Sequence, residues 1–180
     1  MKKTLTGLLI LALLIVSVSC SQTEGSTNAQ SQTQAQSKDG FYTMDEKDGL
    51  KEYLDIETGP FSDSGLRIVL DAKNTTAKFV KTDLKGNDTV EYWEFDFSKN
   101  EVERYTYVSM MGTGFYYYYD LVEDQLTRIE GDDHTDKTES SKNAGRFDGA
   151  AEKTTEEVQL INQYFVDYFG MTIEEAVHTD

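Results

Sequence analysis

Val90 to Val122 reads VEYWEFDFSKNEVERYTYVSMMGTGFYYYYDLV, three strand-like runs separated by two short turns. In the first run, Val90 to Phe97, the side chains of Trp93, Phe95 and Phe97 fall on one side and those of Glu94 and Asp96 on the other. That period of two is the pattern of a strand with one buried face. Ser98-Lys99-Asn100 turns the chain into Val102 to Met110, and Gly112-Thr113-Gly114 turns it again into Phe115 to Val122. The runs are rich in aromatic and β-branched residues, which suit a pleated, half-buried surface.

Outward from this stretch the pattern continues. Upstream lie Leu66 to Leu70 and Ala77 to Leu84, followed by the hairpin loop Lys85-Gly86-Asn87-Asp88. Downstream, Glu123-Asp124 turns into Leu126 to Glu130. Connections this short join antiparallel neighbours, because parallel strands need crossovers of a dozen residues or more. The expectation is an antiparallel meander of six or more strands. Residues 41–65 read less sharply: the folded part starts near Phe41-Tyr42, Gly49 to Asp55 suits either a helical turn or an edge strand, and Gly59-Pro60 marks a turn.

Gly131 to Lys153 is polar and without period, and is expected to be a long loop. Helix signals follow. Thr154-Thr155-Glu156-Glu157 has the spacing of a capping box, with Val158, Ile161, Phe165 and Phe169 recurring behind it and Leu160, Tyr164 and Tyr168 widening the stripe. Gly170 is a C-terminal stop, and Thr172 to Glu175 repeats the box for a short last helix carrying Ile173, Ala176 and Val177. The fold class is therefore α+β: the meander with a C-terminal helix packed on it. The strands-then-helix order resembles that of the lipocalins, whose closed barrel is the alternative to an open sheet. The Gly-x-Trp near the first strand that marks that family is absent here.

The N-terminus carries a different signal. Met1-Lys2-Lys3 is basic, Leu8 to Val18 is almost unbroken aliphatic, and Ser19-Cys20-Ser21 closes the run around the chain's single cysteine. A basic start, a short apolar core and a small-residue cleavage site make an export signal. The apolar run is shorter than the ~20 residues of a spanning helix. Ser17-Val18-Ser19-Cys20 resembles the lipobox of bacterial lipoproteins, with Ser17 where that family usually has an aliphatic residue. The resemblance implies a diacylglyceryl group and palmitate-type acyl chains on Cys20, which would become the mature N-terminus on the extracytoplasmic face of the cell membrane. Two acyl chains hold a soluble domain where one would not. Ser21 to Lys38, SQTEGSTNAQSQTQAQSK, is polar and suits a flexible tether of the kind found in Gram-positive envelopes. The expected organisation is a signal over 1–20, a tether over 21–40 and one domain over 41–180.

With Cys20 modified, no thiol remains for disulfides, nucleophilic catalysis or metal ligation. A formal net charge of −16 repels nucleic acid. No G-x-S-x-G, H-E-x-x-H or phosphate-cradling glycine loop occurs, and the two histidines are His134 and His178. No catalytic residue, metal site or cofactor is expected, and the acidic run Asp132-Asp133-His134-Thr135-Asp136 reads as solvated charge.

The candidate binding residues are tyrosines. Tyr116 to Tyr119 form a tetrad in which Tyr117 and Tyr119 share one side with Phe115 and Leu121, while Tyr105 and Tyr107 lie on the strand before. Tyrosine is apolar in body and polar at its tip, which suits an amphipathic ligand. Tyr105, Tyr107, Tyr117 and Tyr119 are taken as the candidate site, and Trp93 as core. The expected function is that of a surface-anchored, non-catalytic binding module for a small amphipathic ligand or an envelope component. The alternative is an accessory or immunity-type lipoprotein with a protein partner and no small ligand.

Overall fold

A computed structural model describes residues 41–47 and 49–179, with side chains from residue 49 onward. Eight strands follow in order: β1 Phe41–Lys47, β2 Leu50–Asp55, β3 Gly65–Asp71, β4 Thr76–Thr82, β5 Asp88–Asp96, β6 Glu101–Val108, β7 Thr113–Asp120 and β8 Gln125–Gly131. Each pairs antiparallel with the next, and the spatial order is the sequence order. The meander expected from the connection lengths is thus present. Among the described residues no ladder joins β8 to β1, so the sheet has two edges. The segment that read ambiguously supplies β1 and β2.

The hairpins at one end of the sheet are built alike. Asp71, Asp96 and Asp120 close β3, β5 and β7, and each carboxylate accepts hydrogen bonds from the backbone amides two and three residues on. Side-chain oxygens that bond the following backbone are what favour Asp in turns. Four residues after each Asp, Thr75, Asn100 and Asp124 take positive φ of 53°, 55° and 55°. Neighbouring hairpins are then laced together: the amides of Ala72, Phe97 and Leu121 donate to the carbonyls of Gly49, Thr75 and Asn100.

One sheet face is the core. Leu66, Ile68, Leu70, Ala77, Phe79, Trp93, Phe95, Val102 and Tyr119 are buried there beneath the C-terminal helices. Helix α1, Thr138–Asn143, is short; α2, Phe147–Phe169, is the main element; α3 is Ile173–His178. The long polar stretch is therefore not a loop throughout. Glu130 bridges to Asp136, α1 follows, and α2 begins about two turns earlier than the capping pattern suggests. Thr154 does not cap α2. It is fully buried, one turn upstream of Val158 on the stripe that continues through Ile161 and Phe165. Ala150 and Ala151 are good helix formers, so nothing local stops the helix at Thr154. The other two helix signals are met: Gly170 caps α2 with φ 70°, and Thr172 and Glu175 form a reciprocal capping box on α3.

Helix α2 crosses the strands. Ala150 lies near β7 and β8, Glu157 meets Trp93 and Arg104 of β5 and β6, Phe165 packs edge-on to Phe79 of β4, and Phe169 does the same to Tyr53 of β2. Tyr164 of α2 also donates to Asp55 of β2 at 2.6 Å.

Candidate functional site

The register of β6 and β7 divides the four candidate tyrosines between the two sheet faces. Tyr105 pairs with Tyr116 and Tyr107 with Gly114, whereas Tyr117 faces Arg104 and Tyr119 faces Val102. Tyr105 and Tyr107 therefore share the outer face with Tyr116 and Tyr118, and Tyr117 and Tyr119 share the helix side with Phe115. Tyr119 is 0 % exposed and belongs to the core, its hydroxyl donating to Asp124. Trp93 is also core, as expected, with its indole N–H donating to Glu157 at 3.2 Å.

The outer face carries a row of rings. Tyr92 stacks on Tyr105 at 5.8 Å, Tyr105 meets Tyr116 at 4.8 Å, and Tyr116 stacks on His134 at 4.6 Å. Lys78 lies over Tyr92 and Arg128 over Tyr118, each 3.9 Å from the ring centre. The hydroxyls are taken up internally: Tyr92 donates to Glu103, Tyr118 to Glu130 and Tyr105 to Asp132. The bond to Asp132, helped by partial burial, pushes the Tyr105 phenol up to about 12. Asp132 also accepts from the Gly114 amide, Asp133 from Thr135 and Asp136 from Thr138. The acidic run is thus tied to β7 and to the start of α1 by hydrogen bonds.

The helix side holds a pocket of about 350 Å³ at the other end of the sheet from the Asp-capped hairpins. Val108, Met111, Phe115, Tyr117 and Ile129 form its sheet wall. Lys137, Ser140 and Ser141 from α1 and its cap, with Arg146 and Ala150 from the start of α2, close it opposite. Burial raises the Tyr117 phenol above its ordinary value, against the pull of Arg104 and Arg146. Arg104 supports Tyr117 from below, its guanidinium 5.0 Å from the ring centre. It is itself 5 % exposed and paired with Glu157, which also accepts from Trp93. Among the described residues the Tyr117 and Ser141 hydroxyls, the Lys137 ammonium and the Arg146 guanidinium have no hydrogen-bond or ion-pair partner.

A larger open cleft of about 730 Å³ lies between the 58–60 turn and the outer side of α2. Its polar groups are already partnered: Gln163 donates to Asp167 and Tyr164 to Asp55. Size therefore favours this cleft and unpartnered polar groups favour the smaller pocket. The second criterion carries more weight, because a binding site fixes its ligand with a few convergent polar groups.

Of the four candidate tyrosines, Tyr117 alone reaches this pocket. Lys137, Ser141 and Arg146 lie in a stretch whose polar, aperiodic sequence reads as loop, and Arg104 gives no signal beyond being the one cation on its side of β6. Cys20, the signal over 1–20 and the tether over 21–40 lie outside the described residues. No helix among the described residues is long and apolar enough to cross a membrane. No protein-family model, curated protein or solved structure matches the chain.

Proposed function

We propose that this chain is a non-catalytic binding module, held by a lipid on Cys20 at the extracytoplasmic face of a membrane, and that it takes a small amphipathic ligand beside Tyr117. The observation that carries the reading is the pocket: apolar walls from Phe115, Met111 and Ile129, with unpartnered polar groups at Tyr117, Ser141, Lys137 and Arg146. Apolar lining with a few placed polar groups is the usual build of a small-molecule site. A ligand on the helix side does not require the sheet to close as a lipocalin-like barrel would.

Native mass spectrometry of the protein released gently from host membranes tests the ligand, and labelling with palmitate tests the anchor. Tyr117→Ala is expected to lose the co-purifying mass with little change in melting temperature, whereas Tyr119→Ala in the core is expected to cost about 3–5 kcal/mol of stability. A ligand retained in full by Tyr117→Ala would rule out this pocket.

A second reading has its own support. The outer row of Tyr92, Tyr105 and Tyr116 is half-buried, with His134 stacked on one end and Tyr107 44 % exposed beside it. Such a face suits a protein partner, as an accessory or immunity-type lipoprotein would need. Cross-linking from Tyr107 that captured one defined envelope protein, with an empty pocket, would favour it.

A further inference from the structure

Resting on the binding-module reading, we infer that the ligand is an anion: a single-chain amphiphile whose carboxylate or phosphate head is received by Arg146 and Lys137. The chain's net charge of −16 argues against an anion, but no carboxylate lines the pocket. Several other cations are neutralised within the fold, as Arg67 is by Glu52 and Asp88, Lys78 by Glu94, and Arg104 by Glu157. Arg146 and Lys137 have no such partner among the described residues and converge on one cavity.

The geometry orders the ligand. Arg146 is exposed and Lys137 half-exposed, so the charge sits at the mouth; Ile129 is buried, so the apolar body runs inward against it and Phe115. The first turn of α2 forms part of the wall through Arg146 and Ala150, and its N-cap side chain makes no capping bond. The positive end of the helix dipole adds to the two cations. A guanidinium, an ammonium and two free hydroxyls offer donors; no carboxylate lines the cavity, although Asp133 lies close enough to Lys137 to feel its charge. The volume, about 350 Å³, is near the low end of the roughly 300–1,000 Å³ of ligand pockets, which fits one chain and not a two-chain lipid.

The test uses the full chain in nanodiscs of zwitterionic two-chain lipid, with empty nanodiscs subtracted, titrated calorimetrically with decanoate, decyl phosphate and decanol. At least one of the two anions is expected to bind about tenfold or more tighter than decanol, the scale of a charge-assisted hydrogen bond. Whichever anion is preferred identifies the head group. The double variant Arg146→Gln, Lys137→Gln is expected to bring the anion down to the decanol affinity while the melting temperature stays as it was, and Arg146→Glu to weaken the anion further. Decanol binding as tightly as both anions would overturn the charge assignment and leave the pocket reading standing. Failure of all three to bind would overturn the pocket reading as well.

Discussion

Gly114 has no side chain where Tyr105 needs room. A Cβ at that position would lie 2.1 Å from the Tyr105 hydroxyl oxygen and 2.5 Å from Asp132 Oδ1. The sequence reads Gly112-Thr113-Gly114 as a turn, yet Gly114 lies within β7, and its role is close approach rather than bending. Gly114→Ala is expected to expel the Tyr105 ring, cost about 1–3 kcal/mol as an overpacked site, and let the Tyr105 phenol fall back from about 12. Ultraviolet titration of tyrosinate reads the second effect; an unchanged late-titrating phenol would contradict it. Thr154 makes the complementary case. Its buried hydroxyl has no partner, so Thr154→Val is expected to be neutral or to raise the melting temperature, removing an unsatisfied group worth about 1–3 kcal/mol. If Thr154 were the helix cap, the same change would instead cost about 1 kcal/mol.

At the scale of elements, α2 is pinned to the sheet by one charge cluster. Arg104 and Glu157 are paired in a site nearly closed to water, with Trp93 donating to the same carboxylate and Lys153 at 3.7 Å on its open side. Glu157→Gln leaves the Arg104 charge without its counter-ion and is expected to cost about 3–5 kcal/mol, measured by denaturant unfolding. Replacing both, Arg104→Met with Glu157→Leu, is expected to recover most of that loss, because the desolvation of two charges disappears with them. A double variant as unstable as the single one would mean that the pair does more than neutralise itself. Strand existence was legible at this scale from alternation alone. The shared plan of the hairpins that begin DAKNT, DFSKN and DLVED at Asp71, Asp96 and Asp120 emerges only from their common hydrogen bonds. The start of α2 was not legible either, because Thr-x-x-Glu has the same spacing whether it caps a helix or contributes Thr154 and Glu157 to its buried side.

For the whole molecule, Asp55 and Tyr164 tie the first part of the sheet to the last long helix. Asp55 is buried, which opposes its ionisation, but hydrogen bonds from Tyr164, Thr58 and two backbone amides outweigh that and hold its carboxyl below the usual value. The folded state thus binds the proton more weakly than the unfolded chain. Asp55 contributes stability that is fully present above the unfolded value near ~3.9 and is lost as pH falls through the lower folded value. Tyr164→Phe removes one donor and raises the folded value, so acid unfolding is expected to begin at a higher pH. The cost at neutral pH is expected near 1.5–3 kcal/mol, roughly that of a hydrogen bond to a charged group, and it should shrink toward pH 2. Circular dichroism across pH 2–7 checks both the direction and the shrinkage.

What the chain determined by itself was local: the alternating strands, the tight turns between them, the cap at Thr172, the stop at Gly170, and hence an antiparallel meander followed by helices. Neighbouring residues settle such features, because period and turn chemistry act over a few bonds. Which face Tyr105, Tyr107, Tyr117 and Tyr119 occupy relative to one another depended on the register between β6 and β7, where a slip of one residue moves every side chain to the opposite side. The meeting of Tyr117 with Lys137 and Arg146 depended on where α1 and α2 fold back over the sheet. Those are long-range packing decisions, made by burying Val158, Ile161 and Phe165 against the strands, and no window of sequence contains them.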